Sequence, residues 1–234
     1  MSETCKSCGH SLCARRVPIF SHLDGEQLET VVSLIRRKHF DKRETLFFEG
    51  GVLQGLMIIN RGKAKAYRHT ADGKEQILHL FFPGDFFGEK SLFVDKKTEY
   101  NVAAIEPVDL CMISRKDFQR LMKDYPHINQ KIMEELVSRI DHLESMIENL
   151  GAKSVDARIQ SLLLELGQKA LKQEKLEDGM EFVLPLSREG LANYIGVTRE
   201  TVSRKLSALQ EEGIIEMTGN KKIRVLDVDR LERT

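Results

Sequence analysis

The chain has 234 residues, 41% of them hydrophobic, with 36 Lys and Arg set against 36 Asp and Glu. That length builds one or two domains, each with a real core. A formal net charge of zero excludes a protein that coats nucleic acid by bulk charge, so any such contact must come from a local basic patch. No apolar run reaches membrane-spanning length and the N-terminus lacks a charged-then-apolar signal segment, so the expected location is cytoplasmic with no membrane partner.

Residues 1–20 form a Cys-rich segment without helical or strand periodicity, holding Cys5, Cys8 and Cys13. The fourth cysteine, Cys111, lies nearly a hundred residues later on a predicted strand, VDLCMIS. In a reducing compartment such close spacing favours metal or redox chemistry over a structural disulfide.

Residues 21–125 begin with a predicted helix, LDGEQLETVVSLI, that places Leu23, Leu28, Val31, Val32 and Ile35 on one side. Short apolar runs then alternate with turn signals at Arg61-Gly62, Asp72-Gly73 and Pro83-Gly84-Asp85. Many short strands in under a hundred residues predict a small barrel or roll.

Residues 126–152 predict one long helix. Ile128, Ile132, Leu136, Ile140, Leu143, Ile147 and Leu150 form a stripe near the 3.5-residue period of a two-helix seam. Glu134, Arg139, Asp141, Glu144 and Glu148 fall on the other side, and Gly151 is the expected stop. Such a helix either docks on its own domain or pairs two copies of the chain, and a stripe this narrow and long favours a homodimer.

Residues 153–234 read as a helix capped by Ser154, a short strand EFVLPL, two helices split at Gly196, and a hairpin IIEMTGNKKIRVL. Helix, tight turn, helix, hairpin is the order of a winged helix-turn-helix. Thr198 is the expected N-cap of the second helix, whose Val202, Leu206 and Leu209 face Leu191 and Ile195 of the first. Arg199, Glu200, Ser203 and Arg204 take the opposite arc, where a recognition helix meets base edges. Arginine donates twice to guanine, glutamate accepts from cytosine and serine adapts to either. Lys221 and Lys222 at the hairpin suit phosphate contact, which adds affinity without reading sequence. The fold class is therefore α+β: an N-terminal β-roll, a long dimerisation helix and a C-terminal winged helix-turn-helix.

RETVSR after a Gly-Val turn, behind a small roll and a long helix, resembles the CRP/FNR superfamily of bacterial transcription regulators, from about Phe20 to Leu231. The resemblance implies a jelly roll like a cyclic-nucleotide-binding domain and a homodimer bound to a two-fold palindrome in double-stranded DNA. RNA polymerase is an implied partner, with the loop Pro83–Asp85 a candidate contact. Glu200 and Arg204 match the family's central base-reading pair, Ser203 matches the FNR branch and Arg199 the CRP branch. A TGA-containing half-site follows as an expectation.

Members that bind cyclic nucleotide use a Gly-Glu pair followed by an arginine for the cyclic phosphate. Gly88-Glu89 is present, but KSLFVDKKTEYNVA after it contains no arginine. Glu99 lies about where the cation is needed and would repel the phosphate, while Lys97 lacks the planar fork. Cyclic nucleotide is thus disfavoured, and Gly88-Glu89 reads as a structural turn. Four thiolates with short spacings and one distant member suit an iron–sulfur cluster. The FNR branch similarly holds an oxygen-labile 4Fe–4S cluster on three N-terminal cysteines and one in the roll. That likeness makes Cys5, Cys8, Cys13 and Cys111 the implied ligands, although four residues rather than five fill the second gap. Zinc on these cysteines, with His10 able to replace Cys111, is an alternative. So are a disulfide joining Cys5 or Cys8 to Cys111, and a merely buried Cys111.

An enzyme is not expected. His22, His39, His69, His79, His127 and His142 are scattered without a nucleophile pattern, and no Gly-rich phosphate loop precedes a helix.

Overall fold

Five consecutive residues of one strand, Gly55 to Ile59, are buried, which requires cover on both faces of its sheet. In the computed structural model, which describes residues 13–152 and 154–233, that strand is β3, Gly55–Arg61. The other strands of the two sheets are β1 (Arg36–Phe40), β2 (Thr45–Phe47), β4 (Ala64–His69), β5 (Glu75–Phe81), β6 (Phe86–Phe87), β7 (Asn101–Ala104) and β8 (Val108–Ser114). They form two four-stranded sheets, ordered β1-β8-β3-β6 and β2-β7-β4-β5. This is the predicted roll, and the strand expected around Cys111 has the boundaries read from sequence.

Side-chain alternation divides the first sheet between two cores. Met57, Ile59, Phe87 and Leu110 pack with Ala64, Ala66, Val102 and Ala104 of the second sheet. Leu56, Ile58, Phe86, Cys111 and Ile113 face the other way, against α1 (Gly25–Ser33), α3 (Arg115–Asp124) and the start of α4 (His127–Ala152). Asp24 begins α1 with a capping box: its side chain accepts from Gln27 N at 2.9 Å and its own N–H donates to Gln27 Oε1 at 3.1 Å. Leu28 and Val31 then point into the core, as their spacing predicts.

The long helix departs from its sequence reading in three respects. Ile128 and Ile132 are buried in the roll's own core and Leu136 packs against it, so the first half of the stripe serves the chain itself. Among the described side chains of α4, Met133, Val137, Ile140 and Leu143 are the large apolar ones left exposed. Arg139 was expected on the charged outer side, but its side chain turns onto the roll. The helix also runs through Gly151 to Ala152. The side chains of Ile147, Glu148 and Leu150 lie outside the described residues.

The chain divides into residues 1–68 with 78–141, and residues 69–77 with 142–234. The second unit contains α5 (Val155–Leu171), β9 (Glu181–Val183), α6 (Arg188–Ile195), α7 (Arg199–Glu211), β10 (Ile215–Thr218), β11 (Lys222–Val225) and α8 (Val228–Glu232). Its three-stranded sheet, β10-β11-β9, is the wing. Ser154 caps α5 as expected, accepting from Ala157 N at 3.2 Å.

Candidate nucleic-acid interface and cysteine site

The turn between α6 and α7 rests on local chemistry. Gly196 ends α6 with φ +69°, a left-handed conformation that glycine adopts without Cβ strain. Thr198 Oγ1 accepts from Thr201 N at 3.2 Å and starts α7. Arg158 of α5 donates from Nη1 to the Ile195 carbonyl at 3.0 Å, fixing the turn from outside. Val202, Leu206 and Leu209 are buried beneath α7, with Leu191 and Ile195 buried on α6.

That burial leaves Arg199, Glu200 and Arg204 exposed and Ser203 partly so, all on the first two turns of α7. Among the described residues, none of these three charged side chains takes part in an ion pair. Lys205, one position on, is instead held 2.6 Å from Asp156 of α5 and braces the helix. Sequence spacing found the outward face, but Lys205 and Arg158 needed the packing of α5 to become visible.

The wing lysines have partners. Lys222 pairs with Glu181 on β9, which also pairs with Arg224, and Lys221 Nζ donates to the Pro185 carbonyl at 3.4 Å. Both lysines remain exposed. The Glu181 carboxyl is held below the ordinary carboxylate range by its hydrogen bond from Lys222 and then by that from Arg224. Two helices joined by a tight turn, the second with an exposed face carrying two arginines, braced behind and flanked by a basic hairpin, define a protein of the winged helix-turn-helix class.

In the roll, Cys111 is 2% exposed and forms part of a cleft with Ala14, Arg16 and Val17. Those three residues belong to, or directly follow, the 3-10 turn Cys13–Arg16, so that turn is brought over Cys111. Ala14 and Val17 share a core with Cys111. On β1, Arg37 stands directly opposite Cys111. This cation was missed in the sequence because only strand register reveals it. Cys5, Cys8 and His10 lie outside the described residues, as does the side chain of Cys13. Among the described residues, no three His, Cys, Asp or Glu side chains are grouped to hold a metal.

The Gly88-Glu89 corner is fixed by close backbone packing and by an arginine distant in sequence. Gly88 has φ +91°, and a Cβ there would come 2.6 Å from the Gly55 carbonyl oxygen. Glu89 Oε1 lies 2.8 Å from Arg139 Nη1. Glu99 takes ion pairs from Arg68 at 3.1 Å and Lys96 at 2.6 Å, so the nearby cations are already matched, while Lys97 is exposed.

Comparison with known proteins supports the class and names the family. The cyclic nucleotide-binding domain family matches residues 37–125, and the Crp-like helix-turn-helix domain family matches residues 157–234. The transcriptional activator protein FnrL of Cereibacter sphaeroides is 30% identical, over 96% of this chain and 90% of its own. The cyclic AMP receptor protein of Thermus thermophilus is 28% identical over 86% of this chain and 88% of its own. The structure of FixK2 from Bradyrhizobium japonicum superposes with a TM-score of 0.74 at 25% identity, covering 84% of this chain and 95% of that one. The chain belongs to the CRP/FNR family of transcription regulators. It is a DNA-binding regulator, not an enzyme. Among the described residues, no helix is long and apolar enough to cross a membrane.

Proposed function

We propose that this regulator is a homodimer that reads a two-fold palindrome and responds to oxygen or redox state through a 4Fe–4S cluster on Cys5, Cys8, Cys13 and Cys111. The observation that carries the redox reading is the packing of the Cys13–Arg16 turn over buried Cys111. The similarity to FnrL and to the nitrogen fixation regulation protein FixK of Bradyrhizobium diazoefficiens, 30% identical over 227 residues, points to the same branch.

The residues in place fit such a group. A thiol on the floor of a cleft, a second cysteine at the start of the turn above it, and Arg16 and Arg37 alongside suit an anionic centre held by thiolates. When bound, the cluster supplies an oxygen-sensitive redox centre. The protein's own part is mechanical: with Cys13 and Cys111 tied together, Ala14 and Val17 are pressed into the core that also holds Ile128 and Ile132 of α4. Released, that segment gives less support to the helix whose exposed Met133, Val137 and Ile140 form the dimer seam. Dimerisation sets DNA affinity because the second half-site is bound at high effective concentration.

On DNA, Arg199, Glu200, Ser203 and Arg204 contact base edges, while Lys221 and Lys222 contact phosphate. The site is a TGA/TCA palindrome and the location is the cytoplasm. RNA polymerase is met through exposed loops, Pro83–Asp85 among them.

Anaerobic purification tests the switch. A brown protein containing iron and acid-labile sulfide, bleached by air with loss of dimer and DNA binding, is the expected result. A colourless, iron-free protein that still answers to oxidant replaces the cluster with a disulfide between Cys111 and Cys5 or Cys8. Selection from a randomised duplex library tests the reader: enrichment without a TGA/TCA palindrome removes the base assignments.

A further inference from the structure

Four residues form one row across the first sheet. Arg37 of β1 is opposite Cys111 of β8, Cys111 is opposite Ile58 of β3, and Ile58 is opposite Phe86 of β6. Directly opposed residues on antiparallel strands share a face, and Ile58, Phe86 and Cys111 all pack in the core that includes the start of α4. The last member of the row meets that helix. The Arg139 guanidinium lies 4.7 Å from the Phe86 ring centroid, and its Nη2 donates to the Phe86 carbonyl at 2.6 Å. Its Nη1 pairs with Glu89, a carboxylate only 6% exposed, whose Oε2 has no hydrogen-bond partner among the described residues. Ring, carbonyl and carboxylate thus fix one guanidinium at one corner of the roll.

We infer that the row Cys111–Ile58–Phe86 and Arg139 form the route by which a change at Cys111 reaches α4, with Glu89 as the anchor of Arg139. Protein interiors are packed without slack, so a displaced buried side chain must displace its neighbours. Only two side chains separate Cys111 from the guanidinium. On α4, Arg139 lies between Val137 and Ile140, both exposed, so a shift of Arg139 turns the apolar stripe. The regulatory meaning of the route rests on the reading of that stripe as the dimer seam. Arg139 and Glu89 are positioning residues, since neither need touch a ligand.

Hydrogen exchange of the amides of residues 128–141 reads this coupling in the full chain whether or not it dimerises or carries a cofactor. Cys111→Ser puts a hydroxyl into an apolar site and should speed this exchange about fivefold in the otherwise unchanged protein. Arg139→Lys keeps a cation for Glu89 but loses the planar stack, and in that background Cys111→Ser should change exchange by less than about twofold. Equal effects in the two backgrounds overturn the route. Ile59→Val, on the opposite face of β3, should act alike in both backgrounds; dependence on Arg139 there also overturns it. Thermal melts confirm that each variant is folded, and Phe86→Leu replaces Arg139→Lys should the latter not fold. A coupled result from a wild-type protein that is monomeric or iron-free keeps the route and removes the dimer or the cluster instead.

Discussion

Lys222, at the start of the wing's second strand, is held by the carboxylate of Glu181 on the adjacent strand, and the same carboxylate holds Arg224. The wing's cations are thereby partly neutralised before any phosphate approaches. With the wing lysines on phosphate, as proposed, DNA binding would break or share these pairs. Glu181→Gln should therefore raise affinity for every duplex, specific or not, by roughly three- to tenfold at low salt. It should also steepen the dependence of log K on log salt by about one unit. Fluorescence anisotropy on matched and scrambled duplexes across a salt series measures both. A gain confined to the palindrome would show that Glu181 acts on base reading instead.

Arg204 gives the opposite pattern. Its side chain is exposed on α7, so Arg204→Ala should leave the melting temperature nearly unchanged. Losing the bidentate guanine contact proposed for it should cost about 1–3 kcal/mol per half-site and relax specificity at one base pair. Arg204→Lys keeps the charge without the planar fork and should recover non-specific affinity while leaving that base pair unread. Library selection with the three proteins separates the outcomes.

The contrast between α7 and α4 shows what the sequence could and could not convey. The caps Ser154 and Thr198 each act within three residues, so adjacent positions sufficed to place the starts of α5 and α7. The outward arc of α7 followed, because burial of Val202, Leu206 and Leu209 determines what remains outside. On α4 the same periodicity misled. An apolar stripe states that something is covered without naming the cover, and Ile128 and Ile132 are covered by the chain's own roll. Arg139 failed for a related reason. A charged residue is assigned to solvent by default, and its partner Glu89 lies 50 positions away on a corner that only the folded sheet brings near. Arg37 beside Cys111 and Lys222 beside Glu181 likewise depend on strand register, which short strands leave unspecified. The candidate cysteines were readable by spacing, but the cover of Cys111 by the Cys13–Arg16 turn required the structure.

His39 gives a pH prediction for the first unit. Its Nδ1 lies 2.7 Å from Asp109 on the paired strand, and that hydrogen bond raises its pKa above the usual 6.5; partial desolvation opposes it, and the charges of Asp109, Asp41 and Glu44 add to it. A folded pKa above the unfolded one means that the pair's contribution is complete below about pH 6.5 and is lost as pH rises through the raised value. The side chain is 60% exposed, so the effect is small and screened by salt. Melting of the roll should fall by about 1–2 °C across that window relative to His39→Gln, and the difference should vanish in high salt.

The exposed stripe of α4 makes the sharpest test of dimerisation. Val137 and Ile140 are 56% and 54% exposed, so a charge at either site costs the isolated chain little. In a dimer the same charge would be buried against apolar partners without a counter-ion. Val137→Glu and Ile140→Glu should therefore leave far-UV dichroism and melting of the monomer intact while shifting sedimentation from dimer to monomer. Affinity for a palindrome should fall by at least about a hundredfold, because each half-site is then bound separately. Ile132→Ala is the necessary contrast. Its side chain is buried in the roll's own core, so it should destabilise the fold by about 2–5 kcal/mol. Any loss of dimer in that variant should track the loss of stability. If instead Ile132→Ala weakened the dimer without lowering stability, and the two glutamate variants stayed dimeric, the seam would lie along the first half of the sequence stripe, at Ile128, Ile132 and Leu136.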